Sequence, residues 1–170
     1  TAAFRIPNLL RDLFAEGAMS SAFVPTFTAA LTGEGRERAH RLANLLVTGL
    51  LMVTGVLALL GVVFAWAIVD CMAPGFGKDP QKRELAIAGT QIMMPLLPII
   101  TVSAAAMGML NAQRRFFLPA VAPAMFNVAS IVVGVYLKWA GYSPEQAVLG
   151  WSIGAVVSAA VQLGVQLPPL

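Results

Sequence analysis

The chain has 170 residues, 58% of them hydrophobic and only 11% charged, with a net charge of +3. Soluble domains average about 25% charged residues, so this composition excludes the ordinary soluble globular class. The small, scattered positive charge excludes a nucleic-acid surface, and a single cysteine, Cys71, excludes a disulfide framework within the chain.

The predicted class is an all-α, polytopic transmembrane helix bundle. A helix needs roughly 20 apolar residues to cross a bilayer. Four charge-free runs are long enough: Leu42–Val69, Leu85–Gln113, Phe116–Leu137 and Gln146–Leu170. Buried core helices of a soluble bundle do not account for them, because four such runs cannot all be central in so short a chain. With a charged first segment included, five spans are predicted, at about 2–31, 42–69, 84–111, 117–139 and 144–167. Thr1 is not an initiator Met and no basic region precedes the first apolar run, so the chain reads as an excerpt of a longer one, without a cleavable signal.

In chain order, the first segment is followed by TGEGRERAHR, Thr32 to Arg41, read as a short polar loop broken by Gly33 and Gly35. His40 is there as a solvated loop residue. The second span ends near Trp66, whose ring suits the membrane interface. Pro74–Gly75 signals a turn, and Asp79–Pro80 a helix start, with Asp as N-cap and Pro where no donor is needed. Pro95 and Pro98 predict a kink in the third span. The link AQRRF, Ala112 to Phe116, leads to a fourth span with Pro119 and Pro123 near its start. In GYSPEQ, Ser143 is the candidate N-cap and Gln146 its capping-box partner. Pro168–Pro169 ends the fifth span. Gly150, Gly154 and Ser158, and likewise Ala104, Gly108 and Ala112, form small-residue lines that let helices approach closely.

The loops alternate sides. One side holds Arg36, Arg38, Arg41, Arg114 and Arg115; the other holds Lys78, Lys82, Arg83 and Lys138. Five cations against four, in shorter loops, favour the first side as cytoplasmic.

The first segment is the unusual one. In FRIPNLLRDLFAEGAMSSAF, Phe4 to Phe23, the polar residues Arg5, Asn8, Arg11, Asp12 and Glu16 interrupt an apolar run. At 100° per residue they fall within an arc of about 140°. A charge at the bilayer centre costs at least about 2.5–3.5 kcal/mol, so this arc must face water, protein or the membrane surface. Three readings follow from the residues: an amphipathic helix in the interface, a span whose charges pair for structure, or the wall of a polar cavity for a charged substrate. Arg11 and Arg5 would suit phosphate, because the guanidinium fork binds oxygens bidentately. No HExxH, CxxC, GxSxG or P-loop string is present, and the isolated Asp70 and Asp79 are poor candidates for an Mg²⁺ site, so an enzyme is not expected.

Several strings then resemble one family. FRIPNLLRDLFAEGAMSSAFVP is similar to the second transmembrane helix of the MurJ (MviN) lipid II flippases. APGF (Ala73–Phe76), LNAQRRFFLPAVAPAMFN (Leu110–Asn127) and QLGVQLPPL (Gln162–Leu170) resemble later segments of the same family, in the same order. The resemblance implies a partial N-terminal lobe, about helices two to six, of the two-lobe exporter fold of the multidrug/oligosaccharidyl-lipid/polysaccharide superfamily. It implies a multi-pass protein of the bacterial inner membrane that moves lipid II, the undecaprenyl-diphosphate-linked peptidoglycan precursor, by alternating access. No cofactor is implied for this stretch; coupling to membrane potential or a cation gradient is. The implied partners are lipid II, membrane lipids and the remaining helices of the full-length chain: the first helix before Thr1, the second lobe and its proposed sodium site beyond Leu170. Residue by residue, the resemblance makes Arg11 a cavity contact to the diphosphate, with Arg5 at a basic position and Asn8 and Glu16 at matching ones. Asp12 departs from the family pattern, where a second basic residue is common, and is carried with Glu16 as cavity support. A sister exporter of another lipid-linked glycan or of a drug, and a non-transporting scaffold of the same fold, are the alternatives.

Overall fold

A computed structural model describes residues 24–33, 35–73, 75 and 79–168. Among these residues there are seven α-helices and no strand: α1 (Val24–Gly33), α2 (Arg36–Val63), α3 (Ala65–Met72), α4 (Pro80–Met93), α5 (Leu96–Ala112), α6 (Phe117–Trp139) and α7 (Pro144–Gln166). Four stretches are long and apolar enough to cross a membrane: Glu37–Val63, Pro80–Ala112, Phe117–Trp139 and Pro144–Gln166. The chain is an all-α, multi-pass membrane bundle.

The polar loop expected at Thr32–Arg41 is mostly helix. Gly33 closes α1 and α2 already begins at Arg36. The turn between them passes through Gly35, whose φ of 91° favours glycine. Arg, Glu and Ala are good helix formers, Glu37 complements the positive end of the helix, and Ala39 is buried. Charge therefore marks the part of α2 that stands out of the apolar layer, not a break in it.

The second span bends near its far end. Phe64, at φ −97° and ψ 18°, separates α2 from α3. The ladder persists on both sides, with Phe64 N–H donating to the Leu60 carbonyl (2.8 Å) and Ile68 N–H to the Phe64 carbonyl (3.0 Å). In between, the Gln91 side chain donates to the Val62 carbonyl (3.2 Å). A side chain inserted into the ladder is a recognised cause of a bend. Met94 packs where a side chain on Gly61 would otherwise sit.

The third span breaks at Met94–Pro95, between α4 and α5. Pro95 has no N–H to give to the Gln91 carbonyl. That carbonyl accepts from Met94 N–H instead (3.4 Å), and the Met94 carbonyl accepts from Leu97 N–H (3.1 Å), so tight turns bridge the gap. Pro98 lies in the first turn of α5, where a missing donor costs little. By contrast Pro119 and Pro123 leave α6 continuous.

The helix starts follow their caps. The Asp79 side chain accepts from Lys82 N–H (3.3 Å), and Ser143 and Gln146 form the reciprocal capping box (3.3 and 3.2 Å). At the C-terminus of α5, Arg115 N–H donates to the Leu110 carbonyl (2.9 Å) and Arg114 N–H to that of Asn111 (3.0 Å). This is a Schellman closure. Arg114 occupies its left-handed position, at φ 60°, where glycine is usual.

The Pro80–Ala112 span is the centre of the bundle. Just over half of its most apolar stretch, 56%, is buried, against 17% for α2, 28% for α7 and 6% for α6. One core cluster joins Phe27, Ala39 and Ala43 of α1 and α2 to Ala105, Ala106 and Met109 of α5. A second joins Met93 and Leu96 at the break to Ala155 and Ala159 of α7. The line Gly150–Gly154–Ser158 on α7 is a helix-packing face. A Cβ on Gly150 would come within 2.6 Å of Leu137, one on Gly154 would meet Val133, and across the same seam one on Gly134 would lie 2.6 Å from Trp151. The missing side chains let α6 and α7 approach closely.

These contacts fix two ends. The start of α2 and the end of α5 meet through the first cluster, with Leu163 of α7 packed against it. That end carries Arg38, Arg41, Arg114 and Arg115. At the other end α3, α4 and the start of α7 are tied by polar contacts, and Trp66, Tyr136, Trp139 and Tyr142 are exposed, as suits an aromatic belt.

Candidate functional site

Arg5, Asn8, Arg11, Asp12 and Glu16, the residues singled out in the sequence, lie outside the described residues, as does most of the first predicted span. The described part supplies polar groups of three kinds around them in sequence: buried side chains between helices, clamps at one end, and cations at the other.

Inside the bundle most buried hydroxyls are self-sufficient. Thr54, Thr90, Thr101, Ser152 and Ser158 each donate to the carbonyl four residues earlier, at 2.6 to 3.0 Å. This back-bonding hides a hydroxyl in an apolar layer without a second helix. Three side-chain hydrogen bonds do cross between helices in this layer. Ser130 of α6 donates to Ser158 of α7 (3.1 Å). Ser103 of α5 accepts from the Gln162 and Gln166 side chains of α7, at 3.1 and 2.8 Å.

The Ser103–Gln162–Gln166 group is the most buried polar network described. Ser103 and Gln166 are 1% and 0% exposed. Gln166 also donates to the Gln162 carbonyl (3.3 Å), yet its Oε1 has no hydrogen-bond partner among the described residues. Sequence reasoning passed over this group, although two glutamines four residues apart in a charge-free run place two amides on one helix face. Asn127, near the middle of α6, is exposed.

At the clamped end, Arg83 holds Asp70 bidentately, both contacts at 2.7 Å, tying α3 to α4. Gln81 donates to Glu145 (2.7 Å), tying α4 to the start of α7. Lys82 pairs with Asp79 at 2.9 Å. The hydrogen bonds from Arg83, aided by its charge, hold the Asp70 carboxyl below the usual carboxylate range. The Lys82 ammonium, with the Lys82 N–H, does the same for Asp79. Among the described residues no three His, Cys, Asp or Glu side chains converge as a metal site would require. Cys71 is exposed and unbridged. Among the described residues, polar side chains in the apolar layer meet at Ser103–Gln162–Gln166 and at Ser130–Ser158, and the charged side chains lie at the two ends.

Comparison with known proteins adds the family. A family model described as "Lipid II flippase MurJ" matches residues 1–170. The chain is 39% identical over 168 residues to the lipid II flippase MurJ of Burkholderia cenocepacia, an alignment covering 99% of this chain and 32% of that protein. It is 37% identical to the probable lipid II flippase MurJ of Rhizobium meliloti, covering 96% of this chain and 31% of that one. Against the protein of that name from Buchnera aphidicola subsp. Acyrthosiphon pisum the identity is 30%, with 98% and 32% covered. The chain spans about a third of the length of the curated relatives it matches.

Proposed function

Since the chain belongs to the MurJ family of lipid II flippases, we propose that it is part of a transporter that moves lipid II across the bacterial inner membrane by alternating access. The observation that carries this reading is the family match over the whole chain. The described helices pack on one central span, and further helices of the full-length protein complete the passage in this reading.

In this reading the polar arc of the first segment faces the passage. Arg11, with Arg5 and Asn8, holds the substrate diphosphate through charge-assisted hydrogen bonds, which are shorter and stronger than neutral ones. Glu16 and Asp12 hold the arginines in place. The bundle at Arg36–Ala112 is the support against which that segment is fixed. The end bearing Arg38, Arg41, Arg114 and Arg115 faces the cytoplasm, following the bias of Lys and Arg toward cytoplasmic loops. Membrane potential or a cation gradient drives the cycle; the groups that couple to it belong to the rest of the protein.

The test is complementation. Full-length protein carrying Arg11→Ala, produced at normal level in a strain depleted of its own flippase, is expected to fail to restore growth, whereas Arg11→Lys restores it in part. Full growth with Arg11→Ala would remove Arg11 from the site.

A further inference from the structure

We propose that the outward face of the first half of α6, centred on Asn127, is a seam inside the full-length protein. A transmembrane helix from the two thirds of the relatives' length that this chain does not span packs on it and hydrogen-bonds the Asn127 amide. The inference goes beyond lipid II transport and does not depend on it. It rests on the surroundings a membrane allows for an amide, and on the chain's share of its relatives.

Three observations converge. Asn127 lies close to the midpoint of α6, Phe117–Trp139, so a spanning α6 carries it near the middle of the bilayer. Its side chain is exposed and has no hydrogen-bond partner among the described residues. An amide pointing into hydrocarbon forfeits its hydrogen bonds, and polar side chains at this depth accordingly face protein or a water-filled cavity.

The second observation is the change of character along one helix face. Ala120, Pro123 and Ala124 share the Asn127 stripe and are exposed with it. Beyond Asn127 the outward residues become large: Ile131, Val132 and Val135 are 64%, 61% and 62% exposed. Lipid accepts both kinds of surface, but small residues allow the close backbone approach that helix pairs use in membranes. Between Phe117, itself 77% exposed, and Val128 the outward stripe of α6 is thus small and helix-type, and from Val128 onward it is large and lipid-type. Its packed side shows the rule at work, where Gly134 makes room for Trp151.

The third is a recess beside Asn127. Phe126, Asn127, Ser130, Trp151 and Gly154 line a cavity of 210 Å³ between α6 and α7. Its walls are mainly aromatic and aliphatic, and Asn127 lies at it beside Ser130. A side chain of a neighbouring helix fits such a recess as a knob, while its polar group or backbone carbonyl meets the amide. Water alone would satisfy the amide but not the rings around it.

The experiment uses the full-length protein in lipid nanodiscs. Single cysteines replace Ala124, Asn127 and Val135, each carrying a spin label. Collision with oxygen, which concentrates in lipid, and with a nickel chelate, which stays in water, is measured at each. Labels at 124 and 127 are expected to be shielded from both reagents, with oxygen collision severalfold below that at 135. Asn127→Cys is further expected to form a disulfide with a cysteine scanned through one helix outside these 170 residues. Ala124→Cys leaves the amide intact, so the seam is read even if replacing Asn127 unfolds the protein. Oxygen access at 124 and 127 equal to that at 135 would place the face in lipid. Relaxation by the nickel chelate would place it in an aqueous cavity. A cross-link confined to this chain, or shielding with no cross-link at all, would contradict the stated occupant. Each of these overturns the proposal, and none touches the lipid II reading, because no arm measures transport.

Discussion

The Pro80–Ala112 and Phe117–Trp139 spans are alike in sequence and opposite in surroundings. Both are long and mostly apolar and each holds prolines within its apolar stretch, Pro95 and Pro98 in the one and Pro119 and Pro123 in the other, yet 56% of the one and 6% of the other is buried over their most apolar stretches. In water, apolarity sorts inside from outside. In a bilayer the outside is apolar too, so side-chain size and hydroxyl placement sort instead. The buried span offers Thr101, Ser103, Ala104, Ala105 and Ala106 in near succession. The outer one offers Val128, Ile131, Val132 and Val135 to its surroundings. Their prolines differ accordingly. At Pro95 the chain breaks and Gln91 and Met94 of the same span fit into the bend of α2, whereas Pro123 is exposed and α6 passes through it unbroken.

The sharpest way to break this contrast is to change side-chain size on each side. Ala105 is fully buried, so Ala105→Phe should destabilise the full-length protein in detergent by about 3 kcal/mol through overpacking. Ile131→Ala, on the exposed face of α6, should change thermal stability by no more than about 0.5 kcal/mol. Equal losses would mean that α6 is as enclosed at Ile131 as α5 is at Ala105.

A smaller effect tests the polar seam. Ser103→Ala removes the acceptor shared by Gln162 and Gln166, and should cost about 2 kcal/mol. Gln166→Leu removes an amide whose oxygen has no partner among the described residues, and should cost clearly less than Ser103→Ala in the same melting assay. The reverse order would show that Gln166, not Ser103, is the centre of the group.

Smaller still is the link between the two spans. Arg114→Gly relieves a left-handed backbone and should raise stability by about 1 kcal/mol. A loss of stability would show that the Arg114 side chain contributes more than its backbone costs.

The smallest effect lies at the exposed clamp. The lowered Asp70 carboxyl contributes stability above its unfolded pKa, and that contribution is lost as pH falls through about 4 and below. Asp70→Asn should lower the melting temperature slightly at pH 7, by an amount that shrinks progressively as pH falls below about 4. A difference that does not shrink in acid would assign the effect to packing at Asp70 and not to its pairing with Arg83.

Much of this was legible in the residues, for reasons that differ by element. Asp79 and Ser143 announce their helices because a cap needs only the residues beside it. Pro95 announces a break because the missing donor is its own. The bend at Phe64 was not legible, since the side chain that meets the backbone there, Gln91, comes from another helix. Gly33 and Gly35 announce the break between α1 and α2, but the charges that follow do not extend the loop to Arg41, since they mark only departure from the apolar layer. The order of the bundle was hidden for the reason already given: four runs of similar apolarity do not say which one is central. The site residues Arg5, Asn8, Arg11, Asp12 and Glu16 stand on the sequence and the family alone.

The most direct measurement is of lipid II itself. When the full-length protein is depleted in cells that have no other flippase, lipid II should accumulate, and the added fraction should be inaccessible to a reagent that reacts only from the periplasmic side. Accumulation of a different lipid-linked glycan, with lipid II level and accessibility unchanged, would contradict the account.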